Sequence, residues 1–165
     1  MISSRVAVAV HVLAYMAWKR SEAQTSERIA SSVNTNPVVV RRIMGALRNA
    51  GMVTVQPGVG GGATLARDPA GISLLDVYRA VEDGDELFSL HPSEPSRNCN
   101  VGGHIRDVLR PIFCRAHRAM EGVLAEVSIA DVGQQVMEQA RSAGGCCADT
   151  VSEVVEGLAR ERARA

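Results

Sequence analysis

Aromatic side chains are scarce: two Phe, two Tyr and one Trp in 165 residues. A core built from this chain must therefore be aliphatic, and an apolar content of 46% is enough to build one. No run is long and apolar enough to span a bilayer, so no membrane partner is expected. The start looks like a signal peptide only superficially. One basic residue precedes the apolar run, and Trp18, Lys19 and Arg20 follow it in place of a small-residue cleavage site. The four cysteines, Cys99, Cys114, Cys146 and Cys147, form neither a CxxC pair nor a disulfide framework, which fits a reducing, cytoplasmic setting. Catalytic signatures are missing too. No nucleophile–base pairing emerges, and the glycines between 58 and 62 lack the following helix that a phosphate-binding loop needs. An enzyme is not expected.

What is present is a sharp asymmetry of charge. The net charge is zero, yet residues 1–67 carry eight basic side chains against Glu22 and Glu27, a balance of +6. Residues 68–165 carry ten basic and sixteen acidic side chains, a balance of −6. A basic front half joined to an acidic rear half points to a module that binds a polyanion, attached to one with another task.

Residues 3–19 hold alternating valines at 6, 8, 10 and 12, but their length and their alanines favour a helix, with Val6, Val10, Leu13 and Ala17 inward. Thr25 or Ser26 caps a second, short helix to about Val33. Asn36 caps a third, with Pro37 in its first turn, and Gly51 ends it. On this third helix Val40, Ile43, Met44 and Leu47 face inward, while Arg41, Arg42, Arg48 and Asn49 project outward. Two β-like runs, 52–56 and 63–66, flank a glycine-rich hairpin tip. After a turn at 68–71, Ser73 caps a helix to about Glu82, and a loop leads to Asn98-Cys99-Asn100. Residues 103–127 form a long apolar-striped helix, roughly 38 Å at about 1.5 Å per residue, which Pro111 should kink or split. Ser128 starts another helix to about Ala140. The tail reads as a linker at 142–145 and a short helix opened by the capping box Thr150–Glu153.

The order helix, helix, tight turn, helix, glycine-tipped hairpin is that of a winged helix-turn-helix. The fold expected is mainly α with a small β-hairpin wing and a long dimerisation helix. Residues 1–67 form the DNA-binding region, 68–140 the linker, sensor loop and dimerisation helices, and 141–165 a C-terminal extension. The third helix is narrow enough to enter the major groove of a duplex. The expected DNA contacts are Ser26, Thr35, Asn36, Pro37, Val38, Val39, Arg41, Arg42 and Arg48, joined at the wing by backbone groups of Gly58, Gly60 and Gly61. One recognition helix reads few base pairs, so a homodimer on a palindrome follows. Ile105, Val108, Leu109, Ile112, Ala116, Met120, Val123 and Leu124 are its expected interface.

The segment Val33-Asn34-Thr35-Asn36-Pro37-Val38-Val39-Val40-Arg41-Arg42 resembles the Rrf2-type family of bacterial winged-helix regulators, in particular its YwnA-type branch. So do Ile72-Ser73-Leu74-Leu75-Asp76-Val77-Tyr78-Arg79-Ala80-Val81-Glu82 and Asn98-Cys99-Asn100-Val101-Gly102. The resemblance spans roughly residues 1–135. It implies a homodimeric transcription factor, usually a repressor, with crossed long helices at the dimer interface. Some relatives hold an iron–sulfur cluster on three cysteines before the long helix. Here that loop has only Cys99, and Cys114 lies fifteen residues on. No cofactor or metal is therefore expected, although His11 and His104 are imidazoles that could join Cys99. Cys99 is instead the candidate redox or electrophile sensor, and Cys146-Cys147 could bind a soft metal. Two other readings remain open: a regulator of the same fold sensing a metal cofactor, and a winged-helix protein-interaction module that ignores DNA. Salt-dependent duplex binding separates the second from the regulator, and the colour of anaerobically purified protein separates the first.

Overall fold

A computed structural model describes residues 4–20, 22–58, 61–82 and 88–142. Six helices and one hairpin follow in order: α1 (Arg5–Trp18), α2 (Ser26–Val33), α3 (Pro37–Asn49), β1 (Val53–Gln56), β2 (Gly62–Leu65), α4 (Leu74–Val81), α5 (Ile105–Glu126) and α6 (Ile129–Ser142), with a 3₁₀ turn at Pro69–Gly71. This is a winged helix-turn-helix followed by three further helices.

Local chemistry sets the helix ends. Thr25 accepts the N–H of Arg28 at 3.3 Å and caps α2. Asn34 ends α2 at φ 57°, the left-handed conformation that Asn tolerates better than most residues. Asn36 Oδ1 accepts the N–H of Val38 at 2.8 Å, and Pro37 follows where its missing N–H costs nothing. The tight Asn34–Asn36 turn thus ends one helix and starts the next. Gly51 closes α3 at φ 70°, and the N–H of Met52 returns to the carbonyl of Leu47 at 3.0 Å.

The core is aliphatic. Leu13, Ile29, Leu47, Met52, Ile72 and Ile129 are its largest fully buried apolar side chains. Each contributes roughly 1.5–3 kcal/mol by leaving water. Val40, Ile43, Met44 and Leu47 are buried on α3 as the spacing requires. On α1 the buried face is Ala9, Val12, Leu13 and Met16; Val6, Val10 and Ala17 are only partly buried. The expected stripe is thus rotated. A helix apolar on nearly every side gives its spacing no polar face to fix the phase. Ile72, Val77, Val81 and Ile129 lie in the same core, so α4 and α6 close over the helix-turn-helix.

The two strands pair antiparallel, Val53 opposite Leu65 and Gln56 opposite Gly62. Gln24, just before α2, bridges Ala63 with hydrogen bonds of 2.9 and 2.8 Å, and so fixes the wing to the helical body. Helix α5 runs through Pro111 without being split, contrary to one sequence expectation. The proline sits at the seventh position, and the carbonyl it leaves without a donor belongs to exposed Asp107, where water can reach it. The linker at 142–145 and the helix from Thr150 fall on residues 143–165, outside the described residues.

Candidate nucleic-acid interface

Helix α3 buries one side and offers the other to solvent. Val38 and Val39 are 62% and 42% exposed, an unusual display for two β-branched residues in the first turn of a helix. Arg41, Arg42 and Arg48 are exposed on the same outer side, while Thr35 and Pro37 are half-buried at its entrance. Neither Arg42 nor Arg48 has an acidic partner among the described residues. Asn36 spends its side-chain oxygen on the cap and keeps its amide N–H groups.

Arg41 is arranged differently. Its Nε donates to Ser26 Oγ at 3.1 Å and its Nη2 to Glu27 Oε1 at 3.0 Å. Ser26 donates in turn to the same carboxylate oxygen at 3.0 Å. The Glu27 carboxyl is held below its usual value, first by its own backbone N–H and then by Arg41 and Ser26. Ser26, expected to meet the duplex, is instead buried in the first turn of α2, where its hydroxyl engages Arg41. The sequence marked Arg41; it held no signal for this clamp, because Ser26 and Arg41 are brought together only by the crossing of α2 and α3.

At the wing, Gly58 adopts φ 106°, and the N–H of Gly61 donates to the carbonyl of Gly58 at 3.0 Å. That N–H, expected to face the duplex, is used inside the turn. A side chain at Gly61 would collide with the carbonyls of Gln56 and Gly58. The glycine is a requirement of the turn. Gly60 lies outside the described residues.

A basic first half, an exposed recognition helix and a wing anchored beside it are the arrangement of a DNA-binding module. The family model for Rrf2, described as an iron-dependent transcriptional regulator, matches residues 2–135. The chain belongs to the Rrf2 family. A Bacillus subtilis relative, "Putative HTH-type transcriptional regulator YwnA", is 49% identical over 132 residues, covering 80% of this chain and 96% of its own. The crystal structure of "a putative DNA binding protein" is 44% identical, with a TM-score of 0.63 over 78% of this chain and 98% of the other. The global cysteine regulator CymR of B. subtilis, at 21% identity, shares the fold with a TM-score of 0.63, over 82% of this chain and 97% of its own. This Rrf2-family chain is accordingly a transcriptional regulator, and its relatives are regulators and not enzymes.

An iron–sulfur cluster takes four protein ligands, and the loop before α5 supplies one cysteine, Cys99. Cys114 is exposed along α5, and His104 Nδ1 is bonded to the carbonyl of Asn100 at 2.9 Å, which leaves its Nε2 unengaged by that bond. His11 is exposed, 3.0 Å from Ser32 Oγ. Among the described residues no three His, Cys, Asp or Glu side chains gather as a metal site. Cys99 itself is exposed, and its thiol is held below the usual range by the backbone N–H of Gly102 and then that of Val101. It lies in the turn before α5, so these two N–H groups supply the effect expected from a helix end. Cys146 and Cys147 lie outside the described residues.

Helix α5 has no buried residue in the single chain. Val108, Ile112 and Val123 are exposed, and Ile105, Leu109, Ala116, Met120 and Leu124 are half-buried. No helix among the described residues is long and apolar enough to cross a membrane.

Proposed function

We infer that this Rrf2-family regulator acts in the cytoplasm as a homodimer, reading a palindromic operator with one α3 helix per half-site. The observation that carries the reading is the exposed first turn of α3. Val38 and Val39 offer methyl groups suited to thymine, while Thr35, Asn36, Arg41, Arg42 and Arg48 offer donors for bases and phosphates. Residues 1–67 do the reading, 68–140 supply the sensor loop and dimer helices, and 141–165 extend the chain. The apolar face of α5 supports dimerisation, because an amphipathic helix of 22 residues without a buried side chain leaves a stripe in water that a second copy would cover. A dimer seated on a promoter excludes polymerase, so repression is the expected output.

The family description names iron, but the donors around Cys99 support a thiol sensor without a cofactor. Oxidation or alkylation of Cys99 at the entry to α5 would alter how the dimer helices sit against the DNA-reading half, and release the operator. The test is light scattering together with gel shifts on duplexes selected from a random pool. A dimer that retains one palindrome and lets go at raised salt is expected. A monomer at micromolar concentration, or equal retention of all duplexes, would contradict the reading.

A further inference from the structure

We propose that Ser26 and Glu27 hold Arg41 so that it reads a guanine in each half-site. The inference rests on the DNA-reading role of α3 and concerns what one of its side chains recognises. A guanidinium offers its hydrogens along two edges: a side edge of Nε and Nη2, and an end edge of Nη1 and Nη2. Ser26 takes Nε and Glu27 takes Nη2, so the clamp occupies the side edge. The end edge stays open, and it supplies the two parallel donors that match guanine O6 and N7.

Charge points the same way. Glu27 offsets the positive charge of Arg41, which weakens it as a general phosphate contact. Arg42 and Arg48 have no acidic partner among the described residues and serve that purpose better. A flexible arginine would also lose side-chain freedom on docking; one already fixed at two atoms loses less. Ser26 is buried and so fixes the anchor point. Glu27 and Ser26 are thus positioning residues, and Arg41 is the residue that touches the base.

The experiment uses the full chain and a palindrome that the unmodified protein selects from a random duplex pool. Every base pair of the half-site is then replaced in turn, and affinities are compared for the unmodified protein, Glu27→Gln, Ser26→Ala and Arg41→Lys. One guanine is expected whose replacement by adenine costs the unmodified protein roughly ten- to hundredfold. That penalty shrinks to a few-fold in Glu27→Gln and Arg41→Lys, while Glu27→Gln binds random duplex as well or better. Ser26→Ala gives a smaller loss of the same kind, and melting curves establish that each variant folds. The inference is overturned if Glu27→Gln discriminates as the unmodified protein does. It is equally overturned if Glu27→Gln strengthens all duplexes alike with a steeper salt dependence, which would make Arg41 a phosphate contact. If the unmodified protein selects no sequence at all, the operator-reading function itself fails, a result that variant comparisons cannot produce.

Discussion

Ser73 and Ser128 lie opposite each other in an antiparallel bridge, and each begins a helix. Ser73 Oγ accepts the N–H of Asp76 at 3.1 Å while Asp76 accepts the N–H of Ser73 at 3.1 Å. Ser128 and Asp131 repeat the arrangement at 3.1 and 2.9 Å. Between them the N–H of Leu74 reaches the carbonyl of Val127, and that of Ile129 reaches the carbonyl of Ile72, at 2.8 and 2.9 Å. The starts of α4 and α6 are therefore one joint. Ser73→Ala and Ser128→Ala should each lower stability by about 1 kcal/mol in urea denaturation. Because the sites touch, the double variant should depart from the sum of the two; strict additivity would mean that the joint does not act as a unit.

Two glycines of the recognition segment should respond with opposite signs. Gly45 lies inside α3 with nothing within 4 Å of the position a Cβ would take. Gly45→Ala should stabilise by about 0.5–1 kcal/mol, since alanine is the better helix former. Gly51 is equally open but sits at φ 70°. Gly51→Ala should destabilise by about 1 kcal/mol, because an L side chain is strained there. Thermal melts of the two variants should move in opposite directions.

Ile129 is fully buried and joins α6 to the core beside α1. Ile129→Ala should cost about 2–5 kcal/mol, a large part of the stability of a chain this size. The helical signal should be lost in one transition with that of the DNA-reading half. Separate melting of α6 would show that its docking is peripheral.

Legibility followed from how local each cause is. Val40, Ile43, Met44 and Leu47 were readable because charged residues interrupt the apolar spacing of α3 and fix its phase. The α1 stripe was not, since valine and alanine alternate with no polar face. Pro111 is locally a breaker, yet its cost depends on whether Asp107 can reach water, which spacing does not report. The Asn36 cap and the Gly51 stop each needed only near neighbours. The Arg41 clamp needed two helices to cross, and the Gln24–Ala63 bridge needed the wing to fold back across some forty residues. The hydrogen bond of Ser26 to Arg41 was hidden for the same reason.

The Cys99 thiol is held low by two backbone N–H groups that exist only in the folded turn. Its thiolate should therefore persist to lower pH in the folded protein than in the unfolded chain. Iodoacetamide labelling of Cys99, followed by peptide mass spectrometry across a pH series, should show a rate midpoint that rises on adding denaturant. Coincident profiles with and without denaturant would remove the turn as the cause.

The most direct test of the account is the salt dependence of operator binding by Arg42→Ala. Two copies bound to one palindrome should each lose one phosphate contact, so the slope of log K against log salt should become shallower by about 2. An unchanged slope would contradict the placement of α3 against the duplex, and a change of about 1 would contradict the paired arrangement.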